Sequence, residues 1–114
     1  MDSDTITLNE CANDGTKMHL YYSAETDMWV SFGNSAFILA TLAKKEHVGY
    51  VDGFSVRMQM PTVVLSSSGV RVLSSICVPV REESGNHIIF HPNIRICENN
   101  YLQWVKGLRE VKQV

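Results

Sequence analysis

MWVSFGNSAFILATLAKKE, residues 28–46, changes its repeat halfway along. Its first five residues alternate, Met28, Val30 and Phe32 on one side and Trp29 and Ser31 on the other, which is the period of a strand. From Ala36 to Glu46 the alternation is gone and good helix formers dominate. Asn34 or Ser35 can accept from the free N–H groups of a first helical turn, and Lys44 and Lys45 place positive charge at the helix end that favours it. Apolar positions cover most of this helix, so it must be buried, across the open face of a sheet. One strand handing over to one buried helix already makes the chain a mixture of α and β.

Upstream of this stretch, Thr5–Cys11 and Lys17–Ser23 alternate too, separated by Asn13-Asp14-Gly15, residues that tolerate the positive φ of a tight hairpin. Ala24–Asp27 supplies a second turn, so three strands are expected to form an antiparallel meander. Downstream, residues 49–53 read as a loop, Phe54–Met60 as a strand that Pro61 breaks, and Thr62–Leu65 as a short inner strand. A second helix opens at Ser67 or Ser68, with Val70, Leu73 and Cys77 on one stripe. Val78–Val80 and Asn93–Cys97 read as extended, Ser84-Gly85-Asn86 as a turn and His87–His91 as a strand. Asn99 or Asn100 opens a last helix, whose Tyr101, Trp104, Val105, Leu108 and Val111 fall on one apolar stripe. The expected fold is α+β, one domain over residues 1–114: a mixed sheet of about five strands and three helices in the order β-β-β-α-β-α-β-α. A three-layer α/β arrangement is the alternative.

Composition narrows the function. With 114 residues, 45% of them hydrophobic and 19% charged, the chain has enough apolar surface to fold without metal or disulfide. A net charge of −2 gives no basic footprint for a nucleic acid. Three cysteines without a CxxC pair argue against a zinc knuckle or a disulfide scaffold, and Cys11, Cys77 and Cys97 are expected to be inert thiols. The opening MDSDTITLNE lacks the apolar core of a secretory signal, and Ala36–Leu42 is far shorter than the roughly 20 residues of a membrane span. A soluble, cytoplasmic protein that does not enter membranes is the expectation.

Two motifs hint at chemistry. Ser66-Ser67-Ser68-Gly69 sits between a strand and a helix, where backbone N–H groups and the helix dipole favour an anion. A phosphate loop needs a lysine and a nucleophile elbow needs GxSxG, and neither is present. The serines read as a helix cap. HIIFH, His87 to His91, has the spacing of a helical metal pair. Its β-branched residues and the following Pro92 favour a strand, on which the two Cα atoms lie roughly 13 Å apart, too far for one ion. A histidine of another strand, His19, could still meet one of them.

No catalytic set, metal or cofactor is expected. The function expected is a small non-catalytic binding or protein-interaction module, with a protein partner or a second copy, through Tyr21, Trp29 and Trp104. Trp29 stands opposite Met28, Val30 and Phe32, so it is expected on the outer face. The alternative is a small enzyme or ligand-binding protein, with an anion held by Ser66–Gly69 beside His87 or His91.

Overall fold

A computed structural model describes residues 3–76, 78–84, 86–92, 94 and 96–111, with 78–84 and Val111 described by backbone alone. The elements run α1 (Ser3–Cys11), β1 (Met18–Ser23), β2 (Met28–Phe32), α2 (Gly33–Lys45), β3 (Val51–Ser55), β4 (Met60–Ser66), α3 (Ser67–Ser74), β5 (Val78–Ser84), β6 (His87–His91) and α4 (Glu98–Val111). The fold is α+β. One sheet of order β3-β4-β2-β1-β6-β5 carries it, and every neighbouring pair is antiparallel. The expected mixed sheet is therefore corrected to an antiparallel one of six strands, with four helices rather than three.

The first expected strand is a helix. Six or seven alternating residues fit either period, and tertiary contacts decide. As α1, the segment buries Ile6 and Glu10, one turn apart on one side, and leaves Leu8 exposed. Asn13 does not form a hairpin turn; its side-chain oxygen accepts from Gly15 N–H at 3.0 Å and closes a loop into β1.

The stretch 51–66 is a hairpin rather than a loop, a strand and a second short strand. Its turn, residues 56–59, contains no glycine. Gln59 takes the left-handed backbone conformation at φ 55°, and Ser55 Oγ accepts from Met58 N–H at 3.1 Å. Pro61 lies just beyond the last β2–β4 pair, Phe32 with Thr62. β6 stands where it was expected, and α4 starts at Glu98, slightly before Asn99. Cys77, Gly85, Asn93 and Arg95 lie outside the described residues, and so do the readings that rest on them.

Strand register sorts the side chains. Met18 lies opposite Phe90, Tyr22 opposite Trp29, Trp29 opposite Leu65, and Ser31 opposite Val63. On this face Met18, Leu20, Val63 and Leu65 are fully buried against Ile38, Leu39 and Leu42 of α2 and Val70 and Leu73 of α3. Each such side chain contributes about 1.5–3 kcal/mol by leaving water. α3 packs close because Gly69 has no side chain; a Cβ there would stand 2.9 Å from Leu65 Cγ. α4 joins the same layer, Trp104 against Phe37 with ring centroids 5.2 Å apart and the Arg109 guanidinium over the Phe54 ring. α1 lies across the other face, over β1. Among the described residues no helix is long and apolar enough to cross a membrane.

Candidate functional site

The face of the sheet opposite the main core has two parts, a buried polar cluster under α1 and an uncovered apolar area beside it. The cluster begins with a missing cap. β2 runs straight into α2, and the residue at the cap position, Phe32, offers no side-chain acceptor. Glu10 supplies it from α1. One carboxylate oxygen accepts from Ser35 N–H at 3.1 Å and the other from Ser35 Oγ–H at 2.7 Å. Ser35 Oγ in turn accepts from His19 N–H at 2.9 Å and from Asn13 Nδ2 at 3.2 Å. The expected cap, Asn34 or Ser35, is corrected: Ser35 sits inside the first turn and relays between α1, α2 and β1. Gly33 makes room for the carboxylate. It holds φ 58°, and a Cβ there would stand 3.3 Å from Glu10 Cγ and Oε1. Burial raises the Glu10 pKa, while the Ser35, Asn13 and Asn34 donors oppose the rise.

Farther along β1, His19 and His87 meet across the β1–β6 pair, His19 Nδ1 to His87 Nε2 at 3.1 Å. Both are buried. The Tyr21 ring stacks on His87 with centroids 4.5 Å apart, and its hydroxyl accepts from Asn9 Nδ2 at 3.0 Å. Burial, then the neighbouring His87 and Lys17, hold the His19 pKa down to about 4. His19 is therefore neutral at physiological pH and shares one hydrogen bond with His87. Burial pushes the Tyr21 phenol up to about 12, so it keeps its proton. Among the described residues no three His, Cys, Asp or Glu side chains converge as metal ligands.

The uncovered area lies on β2, β4 and β3. Val30 is opposite Val64, and Val64 is opposite Val51, so three valines form a row across three strands. Val30 and Val64 are half-buried and Val51 is 66% exposed. Met28, Phe32 and Thr62 flank the row, also half-buried. Between this area and α1 runs an open groove of about 620 Å³, lined by Ile6, Tyr21, Val30 and Phe32, with Glu25 and Arg57 also on its walls.

Several expected site residues are placed elsewhere. Ser66 is the cap of α3, its Oγ accepting from Gly69 N–H at 3.1 Å and lying 3.0 Å from Ser68 Oγ. The cap reading of the loop therefore holds, with Ser66 in the place given to Ser67 or Ser68. β2 and β1 separate β4 from β6, so the serine loop and His87 are about three strand spacings, roughly 14 Å, apart. His91 is exposed. The structure thus brings His87 to His19 rather than to the serines.

The contact surface is also corrected. Trp29 is 9% exposed and Tyr21 3%, while Trp104 is half-buried against Phe37. Three helices cover the Trp29 side of the sheet, and the valine side is the open one. Cys97 is exposed, as is Cys11. Glu10, Ser35, Val51, Val64 and Arg57 were not among the expected site residues; the one signal for Glu10 was its i, i+4 spacing from Ile6. No protein-family model matches the chain, and neither does any curated protein or solved structure.

Proposed function

We propose that the protein is a small non-catalytic binding module that engages another protein surface through the open face of its sheet. The observation that carries this reading is the row Val30–Val64–Val51, three apolar side chains on adjacent strands that stay half-buried or, at Val51, exposed. Apolar surface left contiguous on a folded protein marks a site of contact. The side chains best suited to chemistry support the same reading. Glu10 is bonded to Ser35, His19 to His87 and Ser66 to Gly69, each within the fold.

A photo-cross-linking amino acid at position 64 tests the proposal in cells that make the protein. Irradiation is expected to join the chain to a discrete protein, and Val30→Glu is expected to abolish the adduct. A cross-linker at exposed Lys44 on α2 is the control. Equal labelling from positions 64 and 44, or none from 64, overturns the reading.

A further inference from the structure

We infer that the partner presents an amphipathic α-helix to this face, laid beside α1 with its N-terminus at the β1–β2 turn. This rests on the reading that the face binds protein, and it adds the shape and direction of what is bound. Backbone bonding selects a helix. The floor is built on β2 and β4, and each is paired on both sides, β2 with β1 and β4, β4 with β2 and β3. Their N–H and C=O groups are engaged within the sheet, so the face offers apolar side chains and no main-chain partners. An extended segment laid on it would bury its own backbone groups unsatisfied, whereas a helix bonds them internally.

The width of the floor suits a single helix. α1 lies on the same face over β1, and its Ile6 walls the groove. From β2 to β3 the floor spans two strand spacings, about 10 Å. A helix with its side chains is about 10–12 Å across, and packed helices stand about 8–10 Å apart. A second axis set that far from α1 falls over the valine row, with Val64 at its centre.

Charge sets the direction. The β1–β2 turn is acidic, with Glu25 exposed and Asp27 accepting from the Tyr22 hydroxyl. The β3–β4 turn carries Arg57, also exposed. Glu25 and Arg57 both stand on the groove walls, and among the described residues neither is held in an ion pair. The turns lie at opposite ends of the strands. Met28, next to the first turn, is opposite Ser66, whereas the second turn leads into Met60 at the other end of β4. They are separated by about 10 Å across the sheet and at least about 13 Å along it. The line joining them is therefore oblique and at least about 16 Å long, which is about eleven residues of helix. A helix carries partial positive charge at its N-terminus and negative charge at its C-terminus. With its N-terminus at Glu25 it meets unlike charge at both ends; turned round, it meets like charge at both.

Selection from a displayed library of random peptides of about 16 residues tests this with the full chain. The library is depleted on Val64→Glu and then bound to wild type. The selected peptides are expected to carry apolar residues at i, i+3, i+4 and i+7 and to gain helical circular dichroism on binding. Val51→Glu, a change at an exposed position, is expected to weaken them at least tenfold while the variant alone keeps the circular dichroism of wild type. A nitroxide on the peptide N-terminus is expected to broaden the amide resonances of residues 24–27 and not those of 56–59. With Glu25→Arg and Arg57→Glu combined, that pattern is expected to reverse. Selected peptides with a strand or polyproline repeat, binding indifferent to Val51→Glu, or broadening at the same turn in both proteins overturns the inference. If any of these is found while position 64 still cross-links a protein in cells, the docked helix fails and the binding-face reading survives.

Discussion

Glu10 caps α2, whose first residue Gly33 lies twenty-three positions downstream, through both the N–H and the hydroxyl of Ser35. The hydroxyl oxygen already accepts from His19 N–H and Asn13 Nδ2, so its one proton must go to Glu10. Position 10 therefore has to present two acceptors, which is what a carboxylate has and a carboxamide lacks.

Glu10→Gln is accordingly expected to destabilise the fold by about 1–3 kcal/mol although it removes a buried charge, because either orientation of the amide points a donor at a donor. Urea denaturation at neutral pH measures this. A variant as stable as wild type, or more so, would show that relief of charge burial outweighs the bonding pattern.

His19 sets a pH dependence. Its pKa is about 4 in the folded chain against 6.5 without the fold, so between those values the unfolded chain binds more protons. Stability from this group is complete above pH 6.5 and declines as pH falls toward 4, by at most about 1.4 kcal/mol per pH unit. Glu10 acts in the opposite sense: its pKa is raised above 4.5, so its contribution is complete below that value and is lost as pH rises through the folded pKa. The stability difference between wild type and His19→Gln isolates the histidine. It is expected to widen from pH 4 to 6.5 and then level off, and a difference constant with pH would contradict the assignment.

Neighbouring valines should behave as opposites. Val63 is fully buried in the main core and Val64 points to the open face. Val63→Ala is expected to cost about 2 kcal/mol, and Val64→Thr no more than about 0.5 kcal/mol. Thermal melts of the two variants would settle which side of the sheet is covered, and equal losses would contradict the placement.

The serine loop separates in the same way. Ser66→Ala removes the cap of α3 and is expected to cost about 1 kcal/mol, whereas Ser67→Ala should change stability by less than about 0.5 kcal/mol. A larger loss at Ser67 than at Ser66 would mean that the helix starts one residue later.

Legibility followed the strength of local signals. α2, α3 and α4 were readable because each combines a helical apolar repeat with polar or charged residues at its ends, and β6 because β-branched residues precede a proline. α1 was misread since its few alternating positions suit both periods and its deciding residue, Glu10, is an acid buried by partners in α2 and the loop. The β3–β4 turn was missed because it uses Gln59 at positive φ, with no glycine or asparagine to announce it. The facing of Trp29 came out reversed for a different reason. Both sides of β2 are apolar, and which one is covered depends on where three helices dock, a long-range fact. The meeting of His19 with His87 was legible only as a pairing to watch for, since strand order decides it.

Strand order also has a consequence for synthesis. β1 and β2 are made first among the strands, yet they occupy the middle of the sheet. As the chain emerges, their hairpin carries two bare flanks. β4 reaches one of them only after residue 60, and β6 reaches the other only at residue 87. Until then the backbone of β1, including the Met18–Tyr21 stretch, is an open template for any extended segment nearby. Shielding of this one flank is expected to limit mispairing of the nascent chain in that interval.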